Sequence, residues 1–310
     1  MAYPVAANTP SYSGTLIPNL FSKQFARFFY LATIMAAICT TEYEGQISKM
    51  GDTIRVRKLP ATVPVHSYTK NAGLQADMLD PEYVDLDINK GQYFNLKDFD
   101  VDRAQADIAY SERWAEHASK FVKIAIDADV LANTYSSASA YNKGATAGKI
   151  SQAYNLGTVG TPLGLTTSNI VGVLVDLGTV LSEQNIPPED RWIALPAWAT
   201  NLIKKSELKD ASLSGDGTSM LRNGRIGMID GMTIYQSNNL SYVTDASGPR
   251  CFNCMGGHKV AMTFAAQLDP STPEKVRNQS DFGDFTRALT IYGYQVVHPE
   301  ALSHLYVYKA

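Results

Sequence analysis

Cysteine is scarce in this chain: Cys39, Cys251 and Cys254 are the only three in 310 residues. An odd count with one close pair excludes a disulfide framework and points to synthesis in a reducing compartment. Long apolar runs are missing too. The longest, Phe28 to Cys39, has twelve residues, too few to span a bilayer. It follows Lys23 and Arg27 as a secretory leader core would, but Ile38 stands where a lipoprotein signal needs a small residue, so a buried N-terminal helix is expected. Neither sign of charge dominates. The 27 Lys and Arg against 30 Asp and Glu leave −3, which gives no whole-chain signal for nucleic acid or membrane. The five histidines (His66, His117, His258, His298 and His304) are scattered, and no Gly-x-Ser-x-Gly occurs, so no nucleophile and base stand at a working spacing. There is no internal repeat.

Glycine and proline are absent between Gly91 and Gly144. That stretch predicts one long helix over Asp98 to Ser137, the element around which the chain is organised. Asp100, and Asp102 with Gln105 three residues on, form a capping pattern at its start. Val101, Ala104, Ile108, Ala115, Ala118, Val122 and Ala125 make one apolar stripe; Trp114, Phe121, Ile124, Leu131 and Tyr135 make a second. Arg103 with Asp107, Glu116 with Lys120, and Lys123 with Asp127 are opposite charges at i,i+4 on the solvent side. At ~1.5 Å per residue such a helix spans a whole domain.

What remains is ordinary folded composition, 45% hydrophobic and 18% charged, enough for about two domains. Residues 1–19 carry Pro4, Pro10 and Pro18 and read as an extended arm. Leu20 to Cys39 reads as a helix with an aromatic face of Phe21, Phe25, Phe28 and Phe29 that must dock on something. Gly51 to Leu59 alternates, with Ile54, Val56 and Lys58 opposite Arg55 and Arg57; Tyr83 to Ile88 alternates with Val84, Leu86 and Ile88 opposite Asp85 and Asp87. Together they predict a charged two-stranded hairpin with a polar tip from about His66 to Asp80. Such a thin excursion is marginal alone and is expected to lie on another subunit. Residues 1–70 hold seven Lys and Arg against three Asp and Glu, residues 71–110 three against nine, a charge step suited to complementary contacts within or between subunits. Further on, Ser168 and Asn169 cap a helix with Ile170, Leu174, Leu177 and Leu181 on one face. Arg191 to Leu195 is a buried strand, and Pro196 opens a helix to Lys205. Arg225 to Gln236 is a hairpin turning at Asp230-Gly231. Lys259 to Leu268 is a strand or helix, and Phe285 to Val297 and Ala301 to Tyr308 are strands. Helices and strands mix without βαβ periodicity, so the fold class is α+β.

The motifs that mimic chemistry each lack a part. Gly144-Ala-Thr-Ala-Gly148-Lys149-Ile150 has three residues between glycines where a phosphate-binding loop has four, and Ile150 replaces the magnesium-binding hydroxyl. Cys251-Phe-Asn-Cys254 with His258 is half a zinc site without a nearby fourth ligand. Asp98, Asp100 and Asp102 open like a calcium loop, but Arg103 and Ala109 stand where glycine and glutamate belong. Asp281-Phe-Gly283 lacks every companion kinase motif. Asp85 and Asp87 share a strand face without a cleft, which fits a solvated or salt-bridged face. Arg55, Arg57 and Lys58 could meet nucleic acid, but the acidic strand that follows is a nearer partner.

Extended arm, charged two-stranded excursion, long helix, compact α/β portion and closing strands follow in an order that resembles the major capsid protein of tailed bacteriophages, the Hong Kong 97-type fold. The resemblance covers nearly the whole chain and is closest to the short-headed coat-protein branch. It rests on Gly51-Asp-Thr-Ile-Arg-Val-Arg57 as the start of an E-loop, Asp98 to Ser137 as a spine helix, Arg191-Trp-Ile-Ala-Leu-Pro196, Gly224 to Leu240 as an A-domain hairpin, and Phe285 to Tyr308 as the closing strands. On that resemblance residues 1–45 are the N-terminal arm and 46–98 the E-loop. Residues 99–165 and 265–298 are the P-domain, and 166–264 and 299–310 the A-domain. The resemblance implies hexamers and pentamers closing an icosahedral shell around double-stranded DNA held by non-specific contact. Its partners would be further copies, a scaffolding protein, a portal protein and a decoration protein, with no membrane and no cofactor, metal or catalytic residue. The virion would be its location and the host bacterial cytoplasm its place of synthesis. Phe21, Phe25, Phe28, Arg55, Arg57, Lys58, Asp85 and Asp87 would make inter-subunit contacts. Some members crosslink an E-loop lysine to a P-domain asparagine, for which Lys70 and Asn278 are the conceivable pair here, although the short-headed branch generally lacks the reaction. A chain starting at the arm implies a separate scaffold and little proteolytic maturation. The competing readings are an encapsulin-type compartment shell and a metal- or nucleotide-dependent enzyme.

Overall fold

The computed structural model describes residues 33–42, 53–59, 63–71, 73–79, 81–105, 111–206, 228–246, 248–267, 273–278 and 281–310. The aromatic segment with Phe21, Phe25 and Phe28 lies outside these residues, as do Ile108 and Asp107 of the expected helix and the start of the Gly224 hairpin.

The chain enters through a single helical turn, α1 (Met35–Ile38), followed by the antiparallel pair β1 (Thr53–Lys58) and β2 (Glu82–Asp87). Next comes β3 (Lys90–Phe99), which leads straight into α2 (Asp100–Gln105); α3 (Ser111–Asn133) follows. The long helix therefore does not begin at Asp98. Asp98 and Phe99 end a strand, with Asp98 opposite Asp284 in the ladder. A stretch without breakers is open to either structure, and ten consecutive pairings to one partner strand decide for β up to Phe99. At its other end α3 stops at Asn133. Thr134 Oγ1 donates to Val130 O at 2.8 Å and Asn133 Nδ2 to Asp129 O at 2.8 Å, taking up carbonyls at the helix end before a 3-10 turn at Tyr135–Ser137.

Two sheets form the body. The first has four strands, with β12 (Gly283–Val296) at its centre. Its neighbour on one side is β3, and on the other β10 (Met262–Ala266) and β11 (Glu274–Arg277). Ala115, Val122, Ile126 and Val130 of α3 are buried, as are Thr286, Ala288, Thr290 and Tyr292 on alternate positions of β12. The buried stripe of α3 thus keeps the expected Ala115 and Val122 but continues through Ile126 and Val130; Ala125 is exposed, and Trp114 and Phe121 are 48% and 43% exposed.

The second sheet has seven strands in the order β4 (Leu163–Leu165), β13 (Leu302–Lys309), β9 (Arg250–His258), β5 (Arg191–Leu195), β7 (Met232–Gln236) and β6 (Met228–Ile229), with β8 (Tyr242–Thr244) also beside β9. Helices α4 (Ile170–Glu183) and α5 (Ala197–Lys205) pack with it. Every residue of β5 is buried, as the run Arg-Trp-Ile-Ala-Leu predicts. Its charged member, Arg191, is satisfied by Pro187 O, Gly178 O, Ser182 Oγ and Ile186 O, so it staples β5 to the end of α4, while burial lowers its pKa. Asp230 and Gly231, at φ 51° and 72°, make the left-handed turn that the Asp-Gly pair predicts. Asn169 does not cap α4 through its side chain; it accepts from Thr166 N and donates to Gly164 O, both at 2.8 Å, and so shapes the loop before the helix. One core cluster joins the two layers, from Val122 and Ile126 of α3 to Trp192 and Leu305 of the second sheet.

Candidate assembly surface

The hairpin of β1 and β2 stands on the four-stranded sheet. Leu86, Ile88 and Ala265 form a small buried cluster with Ile54 and Ile291 packed against it. A Cβ on Gly293 would sit 2.1 Å from Asp87 O, so only glycine lets β2 cross β12 this closely. Strand alternation turns Ile54, Val56 and Lys58 towards the body, with Val56 4% exposed. The opposite face looks outward. There Arg55 Nε donates to Asp85 Oδ1 at 2.9 Å and Nη2 to Oδ2 at 3.3 Å, with the guanidinium 4.3 Å from the centre of the Tyr83 ring. Thr53 Oγ1 donates to Asp87 Oδ1 at 2.9 Å.

The charged residues singled out by sequence thus divide. Asp85 and Asp87 are engaged by Arg55 and Thr53 of their own hairpin. Lys58 reaches its own body, with Nζ 3.8 Å from Glu300 Oε1. Arg57, opposite Tyr83, is exposed and makes no ion pair among the described residues. The described tip residues are all exposed, the expected polar ones such as Lys70 and Gln75 together with a bare apolar group that the sequence reading did not single out. Val65, Tyr68, Leu74 and Met78 are 91%, 79%, 90% and 97% exposed, around a hydrogen bond between His66 Nε2 and Asp77. Spacing missed this group because its apolar residues follow no period.

The motif mimics have structural explanations. Cys251 and Cys254 are three apart on β9, so alternation sends them to opposite faces; both are buried, and burial raises both thiol pKa values. His258 Nδ1 accepts from Val260 N at 3.2 Å. Among the described residues no group of three or more His, Cys, Asp and Glu is placed to hold a metal. In the Gly144 loop, the Glu183 carboxylate accepts from Ile150 N at 2.8 Å and Ser151 N at 3.2 Å, which lowers its pKa; the loop's free amides are taken by the chain's own anion. Asp100 pairs with Arg277, which also bonds Asp284 at 3.0 Å, so it ties α2 to the sheet. Lys97 holds Asp281 at 3.0 Å. Lys70 lies in the exposed tip, and Asn278 just beyond β11 donates its N–H to Gly283 O. No helix among the described residues is long and apolar enough to cross a membrane.

No family model matches the sequence, and no curated protein sequence matches it. Solved structures do match, along the whole chain. A chain from Mycobacterium phage Che8 superposes with a TM-score of 0.75 at 24% identity, covering 95% of this chain and 98% of that one. The capsid structure of the cyanophage P-SCSP1u gives 0.68 at 17% identity, covering 99% and 97%. The fold is the Hong Kong 97-type capsid fold. The mature capsid of bacteriophage PhiM1 is a further match, with a TM-score of 0.67 at 12% identity over 93% of this chain and 91% of that one.

Proposed function

We propose that this protein is the major capsid protein of a tailed bacteriophage, a non-enzymatic subunit that assembles as hexamers and pentamers into an icosahedral shell around double-stranded DNA. Residues 1–45 act as the arm, 46–98 as the E-loop, 99–165 with 265–298 as the P-domain and 166–264 with 299–310 as the A-domain. The observation that carries this reading is the end-to-end superposition on phage capsid chains, joined to a hairpin whose tip exposes apolar side chains that no other described residue covers. An isolated soluble domain gains nothing from holding Val65, Leu74 and Met78 in water; a subunit that buries them on a neighbour does. Arg57 and Tyr83 on the outward face, and the aromatic segment with Phe21, Phe25 and Phe28, serve the same contacts. Copies of the chain are the main partner. Scaffolding, portal and decoration proteins and packaged DNA complete the particle, made in the host cytoplasm and ending in the virion.

The test is to express the protein with and without its neighbouring genes and image the product by negative stain. Closed shells of uniform diameter, with nuclease-protected DNA in particles from infected cells, are expected. Soluble small species under every condition overturn the reading.

A further inference from the structure

The hairpin is fastened to the body at two places of opposite physical character. Near its base the fastening is apolar: Leu86, Ile88 and Ile54 rest on Ala265 and Ile291, and Asp87 crosses Gly293. At the far end of β1 it is ionic. Lys58 Nζ lies 3.8 Å from Glu300 Oε1, and the same oxygen is bonded by His298 Nδ1 at 3.1 Å. Lys58 is largely covered, its side chain 15% exposed, although it carries a charge at the edge of a bare excursion. Glu300 is a fixed post. The fully buried Asn142 donates from Nδ2 to Glu300 O at 2.6 Å and to Leu302 O at 2.9 Å, and Ser139 N donates to Pro299 O at 2.9 Å. The turn bearing Glu300 is thereby tied to the segment just after α3. Beside the apolar foot, Asp87 and Asn89 at the hairpin base, Asn133, Thr134 and Ser137 at the end of α3, and Tyr294 on β12 line a solvent-open polar pocket of about 310 Å³. The apolar foot is small, five side chains beside open solvent, and can act as a pivot.

We propose that the Lys58–Glu300 pair is an ionic latch that holds the hairpin down on its own subunit, and that opening it lets the hairpin swing about the Gly293 foot. This rests on the capsid reading only for its purpose, which is to set the angle at which the tip meets a neighbour. The latch is a property of the single chain. A partly exposed ion pair of this kind biases two positions by about fivefold and is weakened by salt.

The test uses unassembled protein carrying nitroxide labels at Thr69→Cys in the tip and Ser168→Cys in the body, the three native cysteines being buried. Their separation is followed by double electron–electron resonance. Glu300→Gln and Lys58→Met are each expected to raise the population at the displaced distance about fivefold, and so is raising the ionic strength of the wild type. The charge swap Lys58→Glu with Glu300→Lys is expected to return the wild-type distribution. An unchanged distribution in both single variants overturns the latch. So does a swap that fails to restore, since the effect would then belong to His298 or to lost packing. Because the readout precedes assembly, wild-type protein that never forms shells sinks the capsid reading and leaves the latch result standing.

Discussion

Asp127 shows how local spacing can mislead. With Lys123 it reads as an exposed i,i+4 pair, yet it is 1% exposed. Its Oδ1 accepts from Ile34 N and Met35 N, both at 2.9 Å, and its Oδ2 from Asn239 Nδ2 at 2.6 Å. Those donors are 93, 92 and 112 residues away, beyond any pattern in a helix sequence. One carboxylate thus joins the entering chain, α3 and the loop after β7; burial, with this carboxylate nearby, raises the Cys39 thiol to about 12. Asp127→Ala removes the shared acceptor of all three bonds, two of them buried, and is expected to cost roughly 3 kcal/mol, read as a lower denaturant midpoint; Asp127→Asn, which keeps an accepting oxygen, costs less. The Glu116–Lys120 pair does form, at 2.6 Å, because both side chains stay on the solvent side. His304 carries a pH effect. Burial, with Lys143 nearby, lowers its pKa from 6.5 to about 4, and Nε2 shares a hydrogen bond with Asn253 Oδ1 at 3.0 Å. The folded state resists the proton and the unfolded chain accepts it. Stability from this group is therefore whole above about pH 6.5 and is lost as pH falls towards 4, on the order of 3 kcal/mol. Thermal melts across that window should fall less steeply for His304→Gln than for wild type.

Among the elements, the hairpin strands, β5, the Asp-Gly turn and the closing strands were legible because each carries its own period or turn chemistry. The start of the long helix was not, since β3 is made a strand by ten pairings with β12, a partner almost two hundred residues away. Residues 259–268 were open between strand and helix; pairing of Met262–Ala266 with β12 decides for strand. Gly293 is a glycine for the sake of another element. Gly293→Ala is expected to lift the hairpin from the sheet, with faster amide exchange in β1 and β2 and a stability loss of about 1–3 kcal/mol, while exchange in the seven-stranded sheet stays as in wild type.

For the whole molecule, the question is what the exposed parts meet. Leu74→Ser with Met78→Ser changes only exposed tip side chains, so the folded stability should move by less than about 0.5 kcal/mol. Shell yield in sedimentation should collapse nonetheless; normal shells would remove the tip from the assembly contacts. Arg57→Glu is the matching charge test. It is cleaner alone than with Arg55, whose reversal also breaks the hairpin's own bond to Asp85. Folded monomers that assemble poorly are the expected outcome, and wild-type assembly would show that the outward face meets nothing.

Sequence alone determined the α+β class, the order of parts, the basic strand facing an acidic one and the absence of any complete catalytic or metal motif. These are properties of period, spacing and residue type, which are local. Tertiary structure decided which charges are spent inside the chain, where the strand gives way to the helix, that the Gly144 loop is filled by Glu183, and that the tip of the hairpin is bare. Each of those depends on which distant residue arrives at the same place, and burial and hydrogen-bond partnership do not exist until it does.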